Sequence, residues 1–307
     1  MKIRTDHSAN YKAVFLSNGK TARMKLRQNE KFGTPKTPEI EDVAINSKCL
    51  AACIYCYTSA TKDGTNFDSI VDKADKVWGV LSPETRPFQI AIGGAGESTL
   101  HPDWVPFVRK VRELGIVPNY TTNGMHLTSK ILSATEKYCG GVALSWHPHI
   151  EKVFHQAVQQ FSSIKTRLNF HVIVGDTKSL QDLKELYKLY NSVVDYFVIL
   201  PYQAAGRGQP IVDVESVWKE CFNWVATQQS SKFAFGALFY NFLKSHSIPL
   251  EMAVYEPEIF SGYRIMDDTY DLLRKSSYDL RPKHNEQTVN LCISSRPYDR
   301  SDNKQFV

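Results

Sequence analysis

The sequence predicts an α/β fold of parallel βαβ units, with a β-hairpin ahead of them and an α+β extension behind. Three observations predict it. From about residue 42 to 208, apolar strand-length runs alternate with helix-length segments. Asn18-Gly19, the strongest short hairpin signal, lies between two strand-like runs near the start. Beyond about residue 210 the alternation stops, and helical and strand-like pieces are mixed.

Taken in order, Lys12–Leu16 and Thr21–Leu26 flank Ser17-Asn18-Gly19-Lys20 as the two arms of the hairpin. Gly33-Thr34-Pro35-Lys36-Thr37-Pro38 reads as a linker, closing a first unit at residues 1–41. Strands are expected at Asp42–Asn46, Phe88–Ile92, Val117–Thr121, Gly141–Ser145, Leu168–Val174 and Tyr196–Leu200. Helices are expected between them at Ser69–Leu81, Trp104–Leu114, Ser129–Lys137, Glu151–Phe161 and Leu180–Tyr190, making a second unit of 42–208. In the third unit, 209–307, Val214–Gln228 carries Val217, Trp218, Cys221, Phe222 and Val225 at helical spacing. Gly236–Ser245 suits another helix, and Phe260–Met266 with Tyr270–Leu273 suits a hairpin around Asp267-Asp268.

The 307 residues are 42% hydrophobic and 22% charged, ordinary values for a soluble globular chain. No apolar run approaches the roughly 20 residues that span a bilayer. Met1-Lys2-Ile3-Arg4-Thr5-Asp6 has no signal-peptide apolar region. The expectation is a cytoplasmic protein without a membrane partner, in which cysteines stay reduced. Net charge is +5, but residues 1–40 hold nine Lys or Arg against three acids. That asymmetry fits either a solvated cationic face or a contact for phosphate or another anionic partner.

Three of the six cysteines, Cys49, Cys53 and Cys56, form C-x-x-x-C-x-x-C. A closed zinc site shows two ligand pairs, and Cys139, Cys221 and Cys292 supply no second pair. Three thiolates around a cubane [4Fe–4S] cluster leave one iron without a protein ligand, open to a small molecule.

Lys48-Cys49-Leu50-Ala51-Ala52-Cys53-Ile54-Tyr55-Cys56-Tyr57 resembles the signature of the radical S-adenosylmethionine (SAM) superfamily, down to the aromatic Tyr55 before the third cysteine. The resemblance implies a partial (β/α)6, TIM-like barrel. It also implies that SAM chelates the open iron through its amino and carboxylate groups. In that family the reduced cluster cleaves SAM to methionine and a 5′-deoxyadenosyl radical, which takes hydrogen from a substrate carbon. An external one-electron donor of flavodoxin or ferredoxin type is implied as a partner.

Catalytic groups of a β/α barrel sit where strands end. The second strand ends in Gly93-Gly94-Ala95-Gly96-Glu97-Ser98, similar to the family's Gly-Gly-Glu-Pro motif with Ser98 in the proline position. This implies Gly94, Gly96 and Glu97 around the SAM amino group. Thr122 and Asn123 end the third strand in a Thr-Asn-Gly run, and Ser145 ends the fourth. The resemblance puts all three beside SAM, and Arg207 of the Gly206-Arg207-Gly208 run near it. On the fifth strand, Asn169 and His171 alternate with apolar residues, so both face the barrel interior. His147 suits either substrate contact or packing. Cys221 reads as a core residue, and Cys292 as packing or, less readily, as a hydrogen donor to a substrate radical.

The expected function is radical modification of a peptide residue, an amino acid or another small molecule. A nucleic-acid base or nucleotide is the alternative substrate, suggested by the basic first 40 residues. A non-catalytic iron- or zinc-binding redox module is the alternative of another class. The absence of a second cysteine group predicts one cluster and no auxiliary-cluster domain.

Overall fold

The computed structural model describes residues 1–16, 19, 21–93, 95–236, 239–246, 261–266 and 272–273. An antiparallel sheet of β1 (Lys2–Asp6), β2 (Tyr11–Phe15) and β3 (Thr21–Met24) opens the chain. The β2–β3 pair is the expected hairpin. Strand β1 was not expected, because Lys2, Arg4 and Asp6 give it no apolar alternation. Arg4 is nonetheless buried, donating to the Thr37 and Pro38 carbonyls at 3.0 Å and lying 4.5 Å over the Phe88 ring. Arg23 pairs with buried Glu39 at 2.6 Å. Two of the nine basic residues of 1–40 are thus engaged within the fold.

The six expected strands form β4 (Ile40–Ala44), β5 (Gln89–Ile92), β6 (Val117–Thr122), β7 (Gly141–Ser145), β8 (Leu168–Val174) and β9 (Tyr196–Pro201). All neighbouring pairs among them are parallel. The connecting helices are α1 (Ile70–Ala74), α2 (Trp104–Glu113), α3 (Ser129–Tyr138), α4 (Glu151–Ser162) and α5 (Thr177–Tyr190). Helix α1 widens into a π-helical turn over Asp75–Gly79. Amphipathic spacing explains the helices: α2 buries Trp104, Phe107, Val108 and Val111, while α4 buries Phe154, Ala157, Val158 and Phe161. Their ends follow local chemistry, with Thr128 capping α3 and Asp176 closing a capping box with Ser179 on α5.

Two differences from the sequence reading concern the edges. Strand β4 begins two residues early, at Ile40, and includes buried Glu41. A carboxylate in a central strand contradicts apolar patterning, but here Arg264 reaches it at 2.7 Å and the Trp78 indole at 3.1 Å. Nor does the alternation stop at residue 210. Helix α6 (Val214–Thr227) returns the chain to β10 (Phe233–Phe235), parallel to β9. After α7 (Tyr240–Ser245), β11 (Ser261–Ile265) pairs with β12 (Leu272–Leu273) as the expected hairpin and also runs parallel to β4. Three residues of strand, Phe-Ala-Phe, are too few for a periodicity signal. The sheet order is β10-β9-β8-β7-β6-β5-β4-β11-β12, a partial barrel widened by one parallel strand at each edge. No described helix is long and apolar enough to cross a membrane.

Candidate active site

The carboxyl ends of β4 to β9 open on a cleft of about 180 Å³. The cysteine loop leaves β4 and is pinned at its base by Cys49 N donating to Thr61 O at 2.8 Å and Ser47 N to Thr65 O at 2.9 Å. From the other side comes the β5 loop, whose Glu97 N donates to Lys48 O at 2.7 Å. Gly96 makes this approach possible: a Cβ there would lie 2.5 Å from the Lys48 carbonyl oxygen. Behind the loop stands the turn after β9. Arg207 donates from Nε to Cys53 O and from Nη1 to Ala60 O, both at 2.9 Å, and its own N–H donates to Cys56 O. Gly206 has φ +58°, and a Cβ on it would collide with the Cys56 carbonyl.

The cleft brings together Cys49, Cys53, Cys56, Tyr55, Gly96, Glu97, Thr122, Asn123 and Ser145. Arg207 is not in its wall; the guanidinium holds the cysteine loop from behind. Gly94 and Cys292 lie outside the described residues. Cys221 is fully buried in the core.

Glu97 is buried and accepts four hydrogen bonds. Its Oε1 takes Thr122 Oγ1 at 2.8 Å, Thr99 Oγ1 at 2.7 Å and Thr99 N at 3.3 Å, and its Oε2 takes Asn123 N at 2.7 Å. Burial pushes its pKa up, and the bonds from Asn123, Thr99 and Thr122 oppose that rise. No cationic side chain among the described residues pairs with it. A buried carboxylate fixed by neutral donors, on the wall of a cleft, is suited to an incoming ammonium group.

The three thiols are reduced. Burial, reinforced by Cys56 and Cys49, pushes the Cys53 thiol up to about 12, and burial also raises Cys49. Such thiols stay protonated until a cation joins them and displaces the protons. Among the described residues, no three His, Cys, Asp or Glu side chains converge to hold a single ion. A cubane cluster asks for a different arrangement, with one thiolate at each of three separate corners. Three thiols spread around one cleft, beside an uncompensated carboxylate, fit a cluster with a ligand bearing an amino group.

Residues that the sequence reading left open also enter the wall. His147 Nδ1 stands 3.1 Å from Tyr55 Oη and 3.7 Å from Cys53 Sγ. Burial, with His149 adding to it, pushes its pKa down to about 4. His149 Nε2 lies 2.7 Å from Ala51 O, so two residues of the β7 loop grip the cysteine loop. His171 lines the floor opposite Ser145 in the β7–β8 register, and burial pushes it down to about 4. Its Nε2 and the Oδ1 of Asn169 are buried without a hydrogen-bond partner. Asp42, on β4, lines the same cleft and was not anticipated. Its signal is the alternation along β4, which turns Asp42 to the opposite face from Glu41 and Val43.

No protein-family model matches the chain. Among solved structures it is similar to Streptococcus suis SuiB bound to precursor peptide SuiA, with TM-score 0.62 and 15% identity over 84% of this chain and 63% of that one. SuiB bound to S-adenosylmethionine gives 0.59 and 14%, over 83% and 63%. The structure of anSMEcpe with bound AdoMet and Cp18Cys peptide gives 0.53 and 14%, over 74% and 72%. A curated protein of Pyrococcus furiosus, the tungsten-containing aldehyde ferredoxin oxidoreductase cofactor-modifying protein, is 33% identical over 94 residues. That match covers 29% of this chain and 24% of the relative, and the chain spans less than two thirds of SuiB. At these identities the structural likeness is one of fold. The chain has the fold of radical SAM enzymes, the superfamily its cysteine motif resembles.

Proposed function

We propose that this chain is a radical SAM enzyme with one [4Fe–4S] cluster, acting on a residue of a peptide. The observation that carries this reading is the meeting of three thiols and the buried Glu97 carboxylate at one cleft. Cys49, Cys53 and Cys56 would each hold one iron. Glu97 would accept the SAM ammonium, with Gly94 and Gly96 letting the backbone come close. Thr122 and Asn123 orient Glu97 through their bonds to its two oxygens. Ser145 and Tyr55 would border the bound cofactor, and Arg207 would keep the loop closed behind it. When bound, cluster and SAM together supply a 5′-deoxyadenosyl radical able to take hydrogen from carbon. A one-electron donor of flavodoxin or ferredoxin type would deliver the electron. Residues 209–307 would add substrate contacts to the barrel of 42–208, with 1–41 as its N-terminal cover.

A peptide substrate is supported by the company the fold keeps: SuiB is bound to a precursor peptide and anSMEcpe to the Cp18Cys peptide. A nucleic-acid substrate is less well supported than composition suggests, since Arg4 and Arg23 are engaged inside the protein.

The test is anaerobic reconstitution with iron and sulfide, followed by reduction in the presence of SAM. The wild type should release 5′-deoxyadenosine, and replacing any one of the three cysteines with Ala should abolish the product. Cluster uptake without 5′-deoxyadenosine would leave a metal-binding redox module instead.

A further inference from the structure

We propose that His147 donates a hydrogen bond from Nδ1 to the Cys53 sulfur and thereby raises the reduction potential of the cluster. The inference rests on the reading of the cysteine triplet given above. It begins from an inequality among the three sulfurs. Cys49 Sγ has Asn123 Nδ2 at 3.6 Å, and Cys53 Sγ has His147 Nδ1 at 3.7 Å. Cys56 Sγ has Thr58 Oγ1 at 3.1 Å, but that hydroxyl gives its one proton to Ala95 O at 2.8 Å. A metal-bound thiolate can only accept. Thr58 therefore has nothing to offer Cys56, whereas the other two sulfurs each face a nitrogen able to donate.

The two nitrogens are not equivalent. Asn123 is committed to its place, because its Oδ1 accepts Met125 N at 2.9 Å and its own N–H is bonded to Glu97. His147 is set by packing: its ring centroid is 6.0 Å from that of Tyr55 and 5.8 Å from that of His149. The Tyr55 hydroxyl at 3.1 Å shares the same Nδ1. With the ring proton on Nδ1, the N–H forks between the sulfur and the phenol oxygen. Hydrogen bonds to cluster sulfurs are among the levers that set potential, since they stabilise the more negative, reduced state. His147 is thus a positioning residue that acts through Cys53, outside the set assigned to iron or SAM.

The experiment is an EPR-monitored redox titration of the reconstituted protein without SAM, with iron and sulfide counted in each variant. His147→Leu should lower the one-electron reduction equilibrium about tenfold, a potential about 59 mV more negative. His147→Asn, which can place an amide N–H where Nδ1 stood, should recover most of the shift. In parallel, wild type labelled with ¹⁵N-histidine should show a weak nitrogen coupling to the reduced cluster in pulsed EPR, a measurement that stands even if His147→Leu does not load. A loaded Leu variant at the wild-type potential, an Asn variant no better than Leu, or a missing coupling each overturns the hydrogen bond alone. A wild type that takes up no iron and sulfide overturns the cluster reading and this inference with it.

Discussion

Glu97 shows how one side chain can be legible in sequence while its chemistry is not. The Gly-rich strand end around it is a local pattern. The four donors that hold its carboxylate come from Thr99, Thr122 and Asn123, and two of those residues sit where a different strand, β6, ends. If Glu97 receives an ammonium group, Glu97→Gln should weaken SAM binding to the reconstituted protein by about 10- to 100-fold, the worth of roughly 1.5–3 kcal/mol for a charge-assisted hydrogen bond. Calorimetric affinity unchanged in the variant would remove Glu97 from that role. His171 carries a second prediction at this scale. Its folded pKa, about 4, lies below the unfolded value of about 6.5, so the unfolded chain takes up the proton first. Stability present above pH 6.5 is therefore lost as pH falls toward 4, at up to about 1.4 kcal/mol per pH unit for one proton. His147 contributes with the same sign. His171→Gln should flatten the fall of Tm between pH 6.5 and 4; an unaltered slope would show that the buried imidazole is not its source.

At the scale of elements, three loops form the site by leaning on one another through backbone contacts. The β5 loop touches Lys48 because residue 96 is glycine, and the β9 turn touches Cys56 because residue 206 is glycine. Gly206→Ala adds a Cβ against the Cys56 carbonyl in a left-handed backbone conformation. The variant should lose most of its iron on reconstitution and drop in Tm, since the cysteine loop must move away from Arg207. Full iron content at wild-type Tm would mean the turn does not brace the loop. The strands and helices themselves were largely legible: Gly141–Ser145 and Leu168–Val174 fall where their apolar runs predict. Strand β10 was not, because Phe233–Phe235 owes its state to pairing with Phe197–Ile199 rather than to any pattern of its own. His147 was undecided for a similar reason. The atoms that define it, on Cys53 and Tyr55, are more than 90 residues away in sequence.

Across the whole molecule, one buried ion pair ties the late strand to the first strand of the barrel. Arg264 on β11 meets Glu41 on β4 at 2.7 Å, 223 residues apart, with Trp78 donating to the same oxygen. Arg264→Met would leave that carboxylate buried and without its arginine, a loss of about 3–5 kcal/mol in denaturant titration. The double variant Arg264→Met with Glu41→Leu should recover most of it, because a buried pair costs desolvation that an apolar pair avoids. A single variant as stable as wild type would mean that β11 is not held through this contact. By itself the sequence determined the six strands β4 to β9, the helices between them and the loop carrying Cys49, Cys53 and Cys56, since periodicity, caps and ligand spacing act between near neighbours. Only the tertiary structure decided which strands form the sheet edges, which acids are buried, and which nitrogen faces which sulfur. Those outcomes depend on contacts between distant segments, where burial of a charge is set by the partner that arrives and not by the residues beside it.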